Sequence, residues 1–228
     1  MPGLRDGVRA IGDQGNGMRI IWHGHSCFEV RDGAVVVTDP HDGKSIGIKP
    51  PILKADLVLV SHDHFDHNCT RMVKGDYTVV RDPGDRIERG VPIHGISAFH
   101  DQEQGAKRGK IVVFKFILDG ISFCHCGDLG HVLTDEMVER LGEVDVLFVP
   151  VGGVFTLDAE GAKRLIEKIR PRIAVPMHFR IGGLSLSIQG VEPFIKGLPE
   201  DRVVRVGNEV EFHKDELPEK MEYWVFSP

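Results

Sequence analysis

The chain has 228 residues, 41% hydrophobic and 27% charged, enough to bury a sizeable core as one undivided α/β domain. Its 34 acidic side chains outnumber 28 basic ones, a formal net charge of -6, and without a long basic run this argues against nucleic acid as a partner. No apolar run reaches the ~18 residues of a membrane span, and the amino terminus lacks the order of a signal peptide, so no membrane segment and a cytoplasmic location are expected.

Residues 1–17 are rich in glycine with little apolar pattern and read as a flexible lead-in; residues 18–228 read as a single domain. Short strands are predicted over 19–22, 27–30 and 34–38, separated by Gly24 and by Asp32-Gly33, a hairpin turn. Further strands are predicted over 57–60, 78–80, 111–117, 121–124, 146–149, 173–175, 203–206 and 210–212, with Asp119-Gly120 turning between two of them. A short helix over 135–141 has Thr134 as N-cap and Gly142 as stop. Ala162, Leu165, Ile166 and Ile169 fall at helical spacing, with Asp158 and Glu160 near the start, Lys168 and Arg170 near the end, and Pro171 as the stop. A strand-rich chain with helices after its middle and late strands suits two sheets packed face to face with helices outside.

Directly after the apolar run 56–60 comes Ser61-His62-Asp63-His64-Phe65-Asp66-His67-Asn68, three imidazoles and two carboxylates in six residues. These are ligands of borderline divalent metals such as zinc. At the end of a buried strand His62 and His64 can share one ion while Asp66 and His67 face a second. A homopolymeric tag is excluded because the run is internal and spaced. Three later residues also follow apolar segments: His100 after 93–99, Asp128 after 121–127 and His178 after 173–177. Taken alone, His100 can be a hydrogen-bonded surface residue, Asp128 a turn or N-cap, and His178 a core imidazole.

The pattern His62-x-His64-x-Asp66-His67 after a hydrophobic strand, with His100, Asp128 and His178 following in order, resembles the metallo-β-lactamase superfamily of binuclear metal hydrolases over about 18–213. The resemblance implies an α/β fold, a four-layer αβ/βα sandwich of two packed mixed β-sheets with helices on the outer faces. It implies His62, His64 and His100 on one metal, Asp66, His67 and His178 on the other, and Asp128 bridging. Both ions are divalent and most simply zinc, with manganese, iron or nickel accepted by the same donors. The activity this implies is cleavage of a small ester, lactone or phosphodiester by a metal-bridging hydroxide.

Gly24-His25-Ser26, Gly127-Asp128-Leu129-Gly130-His131 and Pro150-Val151-Gly152-Gly153 resemble the ascorbate-6-phosphate-lactonase-like branch. Asp39, in Thr38-Asp39-Pro40, resembles the superfamily's early acidic residue and is expected to orient a ligand; an Asx turn before proline is the alternative. His25 is expected to line the site, or else to be a strand-edge histidine. Besides Asp66, Asp63 as proton carrier and His131 as donor to a leaving group are the catalytic candidates. Retention of His64 separates the chain from flavodiiron members, and Asn68-Cys69-Thr70 departs from the glycine that follows the motif in glyoxalase II-like members.

Two other functions compete with hydrolysis. A metal-containing binding or sensing protein needs no open ions, so a complete ligand set favours an enzyme. A nuclease requires a basic groove, and Lys107, Arg108 and Lys110 are the one local cluster near His100, which a solvated turn also explains. Cys27, Cys69, Cys124 and Cys126 are too scattered for a disulfide framework and are expected to be buried and reduced. Phe194, Trp224 and Phe226 offer apolar surface for a homo-oligomer or, alternatively, pack in the core.

Overall fold

A computed structural model describes residues 17–228; the lead-in expected over 1–17 lies, Gly17 apart, outside the described residues. The first half of the chain forms β1 (Met18–Trp22), β2 (Phe28–Asp32), β3 (Ala34–Thr38), β4 (Leu53–Lys54), β5 (Leu57–Leu59), β6 (Val73–Lys74) and β7 (Thr78–Val80). Then follow β8 (Gly84–Glu88), β9 (Val91–Phe99), β10 (Lys110–Leu118), β11 (Ile121–His125), α1 (Asp135–Leu141), β12 (Val146–Pro150) and α2 (Ala159–Ile169). The last part adds β13 (Ile173–Met177), α3 (Glu192–Ile195), β14 (Val203–Arg205), β15 (Glu209–Phe212) and β16 (Glu222–Val225).

These strands make two large mixed sheets and a ribbon of β4 and β6. The six-stranded sheet runs β15-β1-β2-β3-β5-β7, and the eight-stranded sheet runs β14-β16-β13-β12-β11-β10-β9-β8. Alternation along β5 shows how the layers are built, since successive side chains of a strand point to opposite faces. Leu57 and Leu59 join the core between the sheets, where the ring centres of Phe28 and Phe148 lie 4.4 Å apart and those of Phe116 and Phe123 5.3 Å apart. Val58 and Val60 point the other way, into a second cluster with Cys27, Val37, Leu53 and Val73 under the β4–β6 ribbon.

The fold is the αβ/βα sandwich. α1 and α2 pack on the eight-stranded sheet, against β9 and β12 respectively. α2 starts where the Asp158 carboxylate accepts the Gly161 N–H at 2.8 Å, and it turns Leu165, Ile166 and Ile169 inward. Phe194, Trp224 and Phe226 are all buried in the core, the second of the two uses open to them. The four cysteines are buried and unpaired. Among the described residues, no helix is long and apolar enough to cross a membrane.

Strand direction decides where the site sits. β3 and β5 are parallel, so the segments after Thr38 and Leu59 leave the six-stranded sheet at one edge. β9 and β11 each run antiparallel to β10, and β11, β12 and β13 are mutually parallel, so the residues after β9, β11, β12 and β13 also emerge together. Carboxyl ends of parallel strands are where open α/β sheets place their ligands.

Candidate metal centre

All seven expected ligands emerge at that shared edge. His62, His64, His100 and Asp128 form one close group, and Asp66, His67 and His178 form an adjoining group that His25 also enters. His62 Nε2 and His64 Nδ1 face each other at 2.9 Å. Asp128 lies between the groups: its Oδ2 is 3.2 Å from His100 Nε2 and 3.3 Å from His178 Nε2, and its Oδ1 is 3.2 Å from His67 Nε2.

Several of the expected ligands are oriented from behind. Asp39 Oδ2 accepts from His67 Nδ1 at 2.9 Å and from Ser61 Oγ at 2.6 Å, while Asp39 Oδ1 takes the Ser61 backbone N–H at 2.7 Å. With its proton on Asp39, Ser61 Oγ accepts from His62 Nδ1 at 2.9 Å. One buried carboxylate thereby fixes the rings of His62 and His67 and leaves both Nε2 atoms facing the cluster. Ser61 has no role assigned from sequence; the signal available is a hydroxyl directly before the first histidine of the run. His25 Nε2 donates to Asp66 Oδ2 at 3.0 Å, which sets its ring against one of the expected ligands.

The backbone is strained at this edge. His25, Asp39 and His178 have φ of 54°, 40° and 51°, in the left-handed region that costs a non-glycine residue energy and that clusters at functional sites. Two glycines let the segments close up. A Cβ on Gly127 would stand 2.5 Å from Ser61, and one on Gly152 would stand 2.1 Å from the His178 carbonyl oxygen.

Charge in the cluster is concentrated and interdependent. Burial opposes ionisation of Asp128, but His178 and His67 hold it well below the usual carboxylate range. Burial likewise opposes ionisation of Asp66 and Asp39, and their histidine partners lower both. Burial would neutralise His67, yet Asp128, Asp39 and Asp66 surround it and raise its pKa well above the ordinary value. Burial pushes His25 and His62 down to about 3.

The donor set fits two divalent cations. His67 Nε2 and Asp128 Oδ1 lie close but lack hydrogen-bond alignment, so both are buried polar atoms without a hydrogen-bond partner. Buried groups are rarely left so. A cation among imidazole nitrogens and carboxylate oxygens satisfies them, with Asp128 in reach of both groups.

The other two catalytic candidates stand apart from these groups. Asp63 has an 86% exposed side chain engaged with Asn68 and, at 3.8 Å, Arg81. His131 uses both ring nitrogens on backbone: Nε2 accepts from the Phe99 N–H at 3.3 Å and Nδ1 donates to the Val132 carbonyl at 3.0 Å. It ties the β9 end to the loop after β11 and has no nitrogen left for proton transfer.

Residues 19–178 match the family described as beta-lactamase superfamily domain. The chain belongs to the metallo-β-lactamase superfamily. Within it, the chain is 34% identical over 193 residues to a UPF0173 metal-dependent hydrolase of Nitratidesulfovibrio vulgaris, covering 71% of this chain and 80% of the relative. A UPF0173 metal-dependent hydrolase of Thermoplasma acidophilum is 30% identical over 187 residues, covering 71% of this chain and 83% of the relative. A crystal structure from Thermotoga maritima, named as a candidate Zn-dependent hydrolase of the superfamily, superposes with a TM-score of 0.76 at 38% identity. That match covers 92% of this chain and 98% of the other.

Proposed function

We propose that this superfamily member is a binuclear metal-dependent hydrolase that cleaves a small ester, lactone or phosphodiester. The observation that carries the reading is the pair of adjoining His/Asp groups with the Asp128 carboxylate within 3.2–3.3 Å of His67, His100 and His178. His62, His64 and His100 would hold one ion, Asp66, His67 and His178 the other, and Asp128 both. Two such ions lower the pKa of a shared water towards neutrality and polarise the oxygen of the scissile group.

The protein's own residues set the geometry for that chemistry. Asp39 and Ser61 keep His62 and His67 in one tautomer and orientation. His25 holds Asp66 through Oδ2, so this carboxylate is aimed by a ring that burial keeps uncharged. Zinc is the proposed metal, supported by the imidazole and carboxylate donors and by the name of the Thermotoga maritima relative. Lactone or phosphorylated-ester substrates rest on the resemblance of the Gly24-His25-Ser26 and Gly127–His131 segments to the ascorbate-6-phosphate-lactonase-like branch. One domain over 18–228 and a cytoplasmic location belong to the same reading, supported by the continuous core and the unpaired cysteines.

The test is metal content per chain by elemental mass spectrometry on protein purified without added metal, then an ester, lactone and phosphodiester panel with and without chelator. Near two equivalents with chelator-sensitive turnover is expected. One equivalent or none, with no turnover, would move the site to a binding or sensing role.

A further inference from the structure

Two loops meet at the edge of the eight-stranded sheet from which the candidate ligands emerge. Loop 101–109 joins β9 to β10 directly after His100, and loop 151–158 joins β12 to α2. Both leave the eight-stranded sheet at the site edge. β11 lies between their strands, and the segment after it carries Asp128. Any contact between the two loops therefore spans that segment. The contact is Arg108, whose guanidinium carbon lies 4.3 Å from the centre of the Phe155 ring.

Each partner is anchored. Asp101, next to His100, accepts the backbone N–H groups of Glu103, Gly105, Lys107 and Arg108 at 2.7–3.0 Å, winding the loop round one carboxylate. Phe155 packs against an apolar cluster of Ile46, Leu184 and Ile188, and its loop is tied to the Asp128 segment by the Leu157 N–H on the Leu129 carbonyl at 2.8 Å. Val154 beside it is 66% exposed with φ of 63°, a strained setting for a β-branched residue.

Among the described residues, the charge of Arg108 rests on the Phe155 ring and on no carboxylate. Its neighbour Lys107 is instead paired with Glu103. A guanidinium stacked on an aromatic face keeps its N–H edges free for a carboxylate or phosphate. We propose that Arg108, braced on Phe155, is a specificity residue that selects substrates carrying an organic anionic group, carboxylate or phosphate, on an apolar body that lies along Phe155. This deepens the hydrolase reading and rests on it for the site at which the substrate is cleaved.

The experiment has two arms. In the first, phenylphosphonate and phenylacetate are titrated calorimetrically into metal-free protein, wild type against Arg108→Gln, Arg108→Lys and Lys107→Gln. Binding that weakens about tenfold in Arg108→Gln, partly recovers in Arg108→Lys and holds in Lys107→Gln is expected for a charge-assisted contact. The stronger of the two probes identifies the anion. No binding to wild type, or equal binding to wild type and Arg108→Gln, would overturn the proposal.

In the second arm, the metal-loaded enzyme is given an aryl ester with a remote carboxylate and its methyl-capped neutral analogue. The ratio of kcat/KM between them should favour the anion in wild type through KM, and should collapse towards unity in Arg108→Gln. A ratio that survives the substitution rejects Arg108 as the selector. Absence of turnover on every ester would count against the hydrolase reading, and the calorimetric arm alone would then decide whether Arg108 binds the anion.

Discussion

His64 and Asp128 are the residues whose loss should matter most for metal. Each of His64→Ala and Asp128→Ala is expected to lose bound metal and hydrolysis while circular dichroism shows a folded chain; a variant with full metal content would refute the ligand set. Asp39 acts one step further out. In Asp39→Asn an amide N–H₂ would meet the donors of Ser61 or His67, so metal affinity should fall about 10–100-fold, measured by competition with a chromophoric chelator. Replacing Cys124 and Cys126 by alanine should leave metal content unchanged, since both are buried in the core. The candidate ligands are legible in the sequence because their chemistry is concentrated in one run and repeated after apolar segments. Ser61 is not, because its role depends on Asp39, 22 residues away. His131 resembles a proton donor when read from its glycine-flanked local motif, and only the fold shows the Phe99 and Val132 backbone taking both nitrogens.

Among the elements, α2 is the clearest in the sequence because cap, apolar spacing and stop agree. Asp158→Ala should cost about 1 kcal/mol in urea unfolding through the lost cap and leave metal content intact. Gly152→Ala should do the opposite kind of damage. Its methyl cannot coexist with the His178 carbonyl 2.1 Å away, so β12 and β13 must part at their ends and metal should be lost with the distortion. Elements without a local signature escape the sequence. β8 is an edge strand of mostly exposed residues, Gly-Asp-Arg-Ile-Glu, with no buried face to impose alternation. α3 is a single turn, too short for helical periodicity. β16 owes its place to tertiary pairing between β13 and β14, a parallel arrangement that no neighbouring turn announces.

At the scale of the molecule, the charge cluster predicts how stability of the metal-free protein depends on pH. Burial lowers the pKa values of His25, His41, His62, His64 and His125, so the unfolded chain binds more protons than the native one below the ordinary value of 6.5. Stability contributed by these rings is complete above 6.5 and is lost as pH falls towards their native values, with Asp39, Asp66 and Asp128 adding their loss below 3.8. His67 has the reverse sign: its raised pKa contributes stability below 6.5 that disappears as pH rises through the native value. Calorimetry on chelated protein should therefore find a maximum of Tm near 6.5, falling on both sides. A metal held by His67, as proposed, would replace its proton, so loading should remove the alkaline decline and release protons on uptake. An alkaline decline of equal depth with metal bound would contradict this account.

The seven candidate ligands come from both halves of the sandwich, four from the segment after β5 and three from the ends of β9, β11 and β13. Whatever occupies them is a rivet through the two sheets. Its binding free energy then resists shearing of one layer over the other, so metal should slow hydrogen exchange at amides of β1 and β16, strands that carry none of these residues. Chelation would loosen a whole seam rather than a pocket, and the hydrolytic centre would double as the fastening of the fold.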